Sequence, residues 1–145
     1  MPCQLRFVIL KSIPLKGKIM SKQIQVTYEL KVLDGKAEEL RRIAKEMVAF
    51  NRQGEPGTIV YNVYMNEEET KFTFLETFAE SDSGLFHADR FAKGSFISQI
   101  LERTDGGRLC LYGDVSKEFR SWGVEAGFEI EYFDYIDGYV RYFNG

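Results

Sequence analysis

Hydrophobic residues recur with two different periods along the chain, and the order of those periods limits the fold that it can adopt. From Ile24 to Val32 apolar and polar residues alternate, which is the pattern of a strand with one buried face. Asp34-Gly35 ends this strand, and Asp34 is a candidate helix cap. Apolar residues then recur at helical spacing, which predicts an amphipathic helix down to about Phe50: Leu40, Ile43, Ala44 and Met47.

The middle of the chain predicts a hairpin and a second helix. Thr58–Met65 and Lys71–Phe78 are rich in strand-forming residues, and polar residues 66–70 separate them. Ser81, Asp82 and Ser83 are N-cap candidates for a helix that carries apolar residues as far as Leu101. We expect this helix to bend near Gly94 and to end before Gly106-Gly107.

The last third of the chain adds a strand, a short helix and another strand. Residues 108–112 and 128–135 read as strands, and Asp114 is the expected cap of a helix that holds Phe119 and Trp122. A short terminal run follows Asp137-Gly138. The order is therefore βαββαβ with an αβ(β) tail, which predicts an α+β, ferredoxin-like fold with an antiparallel sheet and helices on one face.

One face of such a sheet stays uncovered in a monomer. Aromatic residues make up 14% of the chain, which is more than the exposed face of a small monomer should carry. Pairing two sheets face to face in a symmetric homodimer covers both, so we expect the chain to be its own partner. The late aromatic residues would pack the tail on the sheet or across this interface: Tyr132, Phe133, Tyr135, Tyr139, Tyr142 and Phe143.

Composition excludes several classes of function. At 145 residues and 44% hydrophobic, the chain suits one domain, which we place at residues 20–145. A net charge of −3 argues against nucleic-acid binding. Cys3 and Cys110 lie far apart without metal-ligand spacing, so we expect reduced thiols, a cytoplasmic protein and no metal site. The chain has a single histidine, and catalysis without a metal or other cofactor is the expectation.

The first nineteen residues differ in charge from the rest. They carry four basic residues and no acidic one, and the short apolar run at residues 7–10 is broken by Lys11 and Pro14. This run is too short for a membrane span and no cleavage signal follows, so neither a membrane nor secretion is expected. Because Met20-Ser21-Lys22 reads like a natural start, residues 1–19 are interpreted as an extension or a mis-assigned start. Finding residues 2–19 intact by mass spectrometry of the native protein would contradict the second interpretation.

Three segments resemble the antibiotic biosynthesis monooxygenase family. The first is Glu55-Pro56-Gly57 with Tyr61 and Tyr64 after it, the second is Phe72-x-Phe74-x-Glu76-x-Phe78, and the third is His87, nine residues beyond Phe78. The likeness covers roughly residues 22–113 and implies a dimeric α/β barrel. Two features depart from the family. Phe78 replaces the usual Trp or Tyr, and no tryptophan precedes Trp122, which disfavours the haem-degrading branch.

The resemblance implies either of two functions. One is a cofactor-independent monooxygenase that acts on a small phenolic or quinol-type aromatic substrate. The other is a non-catalytic module that binds a small ligand or serves in a stress response. In the first case the protein must deprotonate the substrate and hold the anion in a dry pocket beside dioxygen, which requires a base and an apolar cavity.

His87 is the expected base, because its ordinary pKa lies near neutrality. The alternative is a structural helix residue that is hydrogen-bonded to the strand below. Glu76 shares a strand face with three phenylalanines, so it is either partnered or has a raised pKa. We expect it to orient His87, the alternative being an ion pair with a lysine or arginine at the sheet rim.

The remaining candidates would contact the substrate. Phe72, Phe74, Phe78 and Phe91 are predicted to line the cavity. On the facing strand, Asn62 would stabilise an oxyanion and Tyr64 or Tyr61 would hydrogen-bond a substrate oxygen, although half-buried tyrosines are ordinary in sheets. Glu55-Pro56-Gly57 is interpreted as a turn without a chemical role.

Overall fold

The computed structural model describes residues 22–141. It contains five strands and four helices, which follow one another along the chain as β1 Ile24–Val32, α1 Ala37–Gly54, β2 Thr58–Met65, β3 Lys71–Phe78, α2 Ser81–Lys93, α3 Ser95–Leu101, β4 Thr104–Tyr112, α4 Lys117–Glu125 and β5 Ile130–Phe133. The prediction for residues 1–19 lies outside the described residues. So do Tyr142 and Phe143 of the predicted aromatic tail.

The strands form one sheet in the order β2-β3-β1-β4-β5. The α+β, ferredoxin-like prediction is confirmed, and β2, β3, β1 and β4 pair antiparallel as expected. The prediction of an antiparallel sheet is wrong for the fifth strand, because β5 pairs parallel with β4. The chain crosses over through α4 before it returns, and a helical crossover brings the next strand back in the same direction.

The helices cover the face that the alternating pattern predicts. Ile24, Val26, Leu30 and Val32 are buried on this face of β1, whereas Gln25, Glu29 and Lys31 are exposed. On β3, every second residue from Phe72 to Phe78 is buried. The core therefore lies between one sheet face and the helix layer.

Several element boundaries differ from the sequence predictions. Helix α1 is capped by Lys36 without a side-chain hydrogen bond, so Asp34 is not its cap. Helix α4 is capped by Ser116, whose hydroxyl accepts a hydrogen bond from the Phe119 amide, so Asp114 is not its cap. The bend expected near Gly94 is a full break that separates α2 from α3.

Gly106 and Gly107 lie inside β4 and do not precede it. The pairing of β1 with β4 shifts register between Leu30 and Val32, beside Gly107. A Cβ on Gly107 would collide with the backbone oxygen of Glu29, so only glycine permits this close approach. A glycine inside a strand marks such an irregularity, and the prediction of a strand boundary at this pair is therefore wrong.

Candidate functional site

The site begins on the helix-facing side of β3. Phe72, Phe74, Glu76 and Phe78 alternate along this strand, and all four are buried, with Glu76 8% exposed. A carboxylate in such a row needs a partner or a changed pKa, because transfer of a charge from water to an apolar interior is costly.

His87 approaches this face of β3 from helix α2. It lies in the second turn of α2, is 5% exposed, and packs between aromatic rings. Its ring centroid is 5.2 Å from that of Phe78 and 5.9 Å from that of Phe91, one turn further along the helix. The ring centroid of Tyr61 on β2 also lies 5.2 Å from that of His87.

Glu55 is the hydrogen-bond partner of His87. Its Oε2 lies 2.7 Å from His87 Nδ1, and its side chain is 1% exposed. Arg90 Nη1 donates to the other oxygen at 2.9 Å, and the Thr58 hydroxyl donates to Oε2 at 3.0 Å. Three donors around one buried carboxylate favour its ionised form.

The turn after α1 brings Glu55 to this position. Residues 55–57 form the predicted turn, and Thr58 N donates to the Glu55 carbonyl at 3.1 Å. Gly57 packs against Ser83, and a Cβ on Gly57 would collide with the Ser83 side chain. The absence of that Cβ lets the turn lie against the first turn of α2, and Glu55 thereby comes within reach of His87.

Glu76 approaches the other ring nitrogen. Its Oε2 lies 3.7 Å from His87 Nε2, which is an ion-pair distance and longer than a hydrogen bond. The imidazole therefore lies between two carboxylates, one hydrogen-bonded to Nδ1 and one facing Nε2. The predicted proximity of Glu76 and His87 is present, but the group that orients the ring is Glu55.

This arrangement shifts the pKa of all three groups. Burial raises the pKa of Glu76 to about 7, although the charge of His87 opposes the rise and that of Glu55 adds to it. Burial alone would lower the pKa of His87, but the two carboxylates outweigh it and raise the pKa above its ordinary value. Burial would raise the pKa of Glu55, but the interactions with His87, Arg90 and Thr58 lower it.

A cavity of about 50 Å³ lies beside Glu76 and His87, between the sheet and helices α2 and α4. Its other lining residues are almost all apolar: Val26, Tyr28, Phe74, Phe78, Gly84, Ala88, Phe91, Leu109, Leu111, Phe119, Trp122, Phe128 and Ile130. Glu55 does not line it. The cavity thus has one polar corner, which Glu76 and His87 form.

The structure brings together most of the predicted site residues. Phe74, Phe78 and Phe91 line the cavity with Glu76 and His87, whereas Phe72 packs in the neighbouring part of the core. Asn62 and Tyr64 lie on the opposite face of the sheet, where both side chains are exposed. Neither lines the cavity. Tyr61, on the other side of the same strand, faces His87 instead.

Sequence reasoning missed Glu55 and Arg90 as members of the site. Glu55 belongs to the Glu-Pro-Gly segment of the family resemblance, and the turn explained that segment without reference to the carboxylate. Arg90 stands three residues after His87 and therefore lies on a neighbouring part of the same helix face. That spacing was the available signal for Arg90.

Two buried polar atoms near Glu55 are poorly satisfied. Among the described residues, the Tyr61 hydroxyl and the Asn51 Nδ2 have no hydrogen-bond partner of normal geometry. Burial, with the charges of Glu76 and Glu55, raises the pKa of Tyr61 well above its ordinary value, against a smaller opposing effect of Asn51. Tyr61 is therefore neutral near neutral pH.

Residues 24–91 match the sequence model of the family described as antibiotic biosynthesis monooxygenase, abbreviated ABM. This stretch, 68 of the 145 residues, has the sequence of an ABM domain. The matched stretch runs from the first residue of β1 to Phe91, so it includes Glu55, Glu76 and His87. No protein of curated function shows significant sequence similarity to the chain.

Solved structures share the fold of the ABM domain. MupZ from Pseudomonas fluorescens superposes with a TM-score of 0.68 at 15% identity, over 83% of this chain and 95% of MupZ. A candidate antibiotic biosynthesis monooxygenase from Caulobacter crescentus CB15 superposes with a TM-score of 0.54 at 22% identity, over 63% of this chain and 89% of the matched chain. Another from Bacteroides thetaiotaomicron VPI-5482 superposes with a TM-score of 0.51 at 17% identity, over 61% of this chain and 85% of the matched chain. At these sequence identities the structural similarity shows a shared fold alone.

Two other features are absent from the described residues. In residues 22–141, no three His, Cys, Asp or Glu side chains are grouped so that they could hold a metal ion. Within the same range, no helix combines the length and the apolar character needed to cross a membrane.

Proposed function

We propose that the chain is a cofactor-independent monooxygenase that oxidises a small phenolic or quinol-type aromatic molecule in the cavity beneath α2 and α4. One observation carries the proposal. Glu76 and His87 form the polar corner of a cavity whose other walls are mainly apolar and aromatic. A proton acceptor beside a dry surface is what activation of a phenol for reaction with dioxygen requires.

The reaction uses electrons from the substrate alone. Deprotonation of a quinol by the Glu76–His87 pair gives an electron-rich anion that reacts with dioxygen. One oxygen atom replaces a ring hydrogen, and the other leaves as water, so that a hydroquinone and dioxygen yield a hydroxyquinone and water. The chain's own residues bind the ring, remove the proton and exclude bulk water.

The aromatic substrate must widen the cavity. A volume of about 50 Å³ holds a few water molecules or one dioxygen, whereas a benzene-binding cavity measures about 150 Å³. Trp122 and Phe128 stack at 5.6 Å in the outer wall, and both are only partly buried. Because these two rings are already partly in solvent, their outward rotation exposes less apolar surface than the movement of a fully buried side chain would.

Oxygen uptake tests this function. The purified chain is mixed with hydroquinones of one to three fused rings, in the presence of a chelator, and dioxygen consumption is followed with an electrode. We expect uptake to match product formation one to one, and His87→Gln and Glu76→Gln to reduce it at least ~100-fold. Circular dichroism of both variants controls for folding. Binding of the quinols without any uptake would contradict the proposal.

The small size of the cavity favours a second candidate, a non-catalytic module that holds a small apolar ligand. The two candidates differ in their response to loss of the imidazole. In the enzyme, His87→Ala abolishes oxygen uptake while the fold persists. In the binding module, the same substitution only weakens ligand affinity, which calorimetry with the same quinols measures. A shift of the haem absorption band on mixing with the chain would instead support the disfavoured haem-binding alternative.

We also propose that the chain acts as a cytoplasmic homodimer. The sheet face away from the helices exposes large apolar side chains: Tyr64 at 50%, Leu75 at 40% and Phe133 at 38%. Burial of this face against a second copy would remove that surface from water. Asn62 and Tyr64 would then contact a ligand only from the dimer interface. A clean monomer in equilibrium sedimentation at micromolar concentration would contradict the dimer.

A further inference from the structure

The hydrogen bonds of Glu55 determine which ring nitrogen of His87 carries a proton. Glu55 accepts from Arg90 and Thr58 and lies 2.7 Å from His87 Nδ1, with its side chain 1% exposed. A carboxylate held in this way is an acceptor only, so Nδ1 must carry a hydrogen and donate it. His87 is therefore either a neutral ring with a bare Nε2 or a cation with hydrogen on both nitrogens.

The surroundings of Nε2 select the cation. Glu76 Oε2 faces this nitrogen at 3.7 Å, so a second carboxylate supports positive charge on the ring. With His87 charged, the buried group of Glu55, Arg90, His87 and Glu76 has two negative and two positive charges. With His87 neutral and both carboxylates ionised, the same group would bury an unbalanced negative charge.

The charge state of the imidazole also decides which group can accept a proton from a substrate. If Glu76 accepts it, the new substrate anion takes the place of the carboxylate beside the imidazolium, and the sum of the charges stays the same. If His87 were the acceptor, it would have to start as the neutral ring, which the two carboxylates disfavour. The tyrosines near the site are not acceptors at neutral pH, because burial raises the pKa of Tyr28 and that of Tyr61.

We propose that Glu76 is a catalytic base and His87 an imidazolium that stabilises an oxyanion, so that the cavity enolises aryl or cyclic ketones without dioxygen. The C–H bond next to the carbonyl breaks, its proton moves to Glu76, and the electron pair moves through carbon to the carbonyl oxygen. The enolate oxygen accepts a hydrogen bond from His87 Nε2. Return of a proton from Glu76 to carbon restores the ketone, so nothing is oxidised or reduced.

The geometry of the cavity sets the class of ketone. The carbonyl oxygen and the adjacent C–H lie on one edge of such a molecule, so one edge presents oxygen to Nε2 and hydrogen to Oε2. The gap of 3.7 Å between these atoms leaves neither occupied by a hydrogen bond to the other. The remaining walls are mainly apolar, which selects a neutral ketone with a single polar edge. A carboxylate base with an oxyanion hydrogen-bond donor in an apolar site is a known arrangement for this step.

Enolisation shares its cavity and its two acid–base groups with the proposed oxygenation, but it does not depend on dioxygen. The test is therefore anaerobic. The full chain is incubated in D2O with 2-tetralone or 1-indanone, and deuterium at the carbon next to the carbonyl is measured by mass spectrometry. We expect exchange at least ~100-fold above buffer, with a rate that rises as Glu76 ionises.

Variants identify the groups. Glu76→Gln should abolish the exchange, Glu76→Asp should restore part of it, and His87→Gln should reduce it while the fold persists. The exposed carboxylate variant Glu129→Gln is the matched control and should exchange like the wild type. Exchange that survives Glu76→Gln in a folded protein, or no exchange by the wild type with either ketone, would overturn the inference. Exchange without aerobic oxygen uptake refutes only the oxygenase, and uptake without exchange refutes only the enolisation.

Discussion

The two halves of the core lie under the same sheet face, yet different side chains fill them. The α1 half is built mainly of apolar side chains, and its largest members are almost fully buried: Leu30, Leu40, Ile43, Met47, Phe72 and Ile100. The α2 half contains Val26, Phe78, Leu111 and Phe119, but it also borders the cavity and the buried Glu76 and His87. The strands supply similar alternating rows to both halves. The difference therefore comes from the helix layer.

Helix length explains part of this difference. Helix α1 has 18 residues and presents Leu40, Ile43 and Met47 to the sheet along its length. Helices α2 and α4 have 13 and 9 residues, and their buried positions include Gly84 and Gly123, where an added Cβ would collide with Phe119 and with Ile130. These glycines let neighbouring side chains approach the two helices closely, and the shorter helices cover less of the sheet than α1 does. We infer that the α1 half stabilises the fold and that the α2 half is built for a ligand.

The largest effect should follow from loss of Glu55, at the boundary of the halves. Glu55→Ala leaves Arg90 and His87 without their buried partner, and we expect a loss of roughly 3–5 kcal/mol in the free energy of unfolding. Urea denaturation measures it. Glu55→Gln keeps the packing and should lose less. Glu46→Ala removes an exposed helix pair with Arg42 and should change stability by about 0.5 kcal/mol or less. Equal losses for Glu55→Ala and Glu46→Ala would contradict the buried role.

Matched leucine truncations compare the halves directly. Leu40 is 0% exposed in the α1 half, so Leu40→Ala should cost about 2–5 kcal/mol. Leu109 lines the cavity and is half-buried, so Leu109→Ala should cost clearly less, because part of its surface is already without close neighbours. Thermal and urea unfolding give both values. A larger loss at Leu109 would show that the α2 half is packed as tightly as the α1 half.

The pH dependence of stability should differ between the wild type and Glu76→Gln. The pKa of Glu76 in the folded chain is about 7, above its ordinary 4.5, so its stabilising contribution is complete below 4.5 and is lost as pH rises through about 7. His87, with its raised pKa, contributes in the same direction. We expect the wild type to lose roughly 3 kcal/mol between pH 4.5 and 7 that Glu76→Gln does not lose. Parallel profiles for the two proteins would refute the raised pKa.

The smallest effect concerns Tyr61. Its hydroxyl is buried without a hydrogen-bond partner of normal geometry among the described residues, so Tyr61→Phe should raise the free energy of unfolding by about 1 kcal/mol. Val63→Thr, on the same face of β2, adds a hydroxyl, so it should lower the free energy of unfolding. Destabilisation by Tyr61→Phe would mean that the hydroxyl has a partner in solution, such as an ordered water.

The sequence predicted the fold better than the site because the two depend on different distances along the chain. Alternation in β1 and β3 is a local pattern, and it correctly predicted which residues of each strand are buried. The direction of β5 depends on the crossover through α4, which periodicity does not report. Glu55 and His87 are 32 residues apart, and nothing local in either segment indicates that they are hydrogen-bonded.

Alternation alone also left the two faces of β2 unresolved with respect to the site. Alternation puts Asn62 and Tyr64 on one face and Tyr61 on the other, but it does not say which face meets the helices. The substrate-binding assignments went to Asn62 and Tyr64, which lie on the open face. The isolated histidine was the more informative feature, since a buried imidazole needs partners on both nitrogens.

The protonation state of His87 tests the account most directly, and the chain has a single histidine, so one labelled residue gives one unambiguous signal. Nitrogen-15 NMR of a tag-free chain should show a titration midpoint of the imidazole above 6.5, and this midpoint should fall in Glu76→Gln. A midpoint below 6.5 in the wild type would contradict the assignment of His87 as the cation and Glu76 as the base.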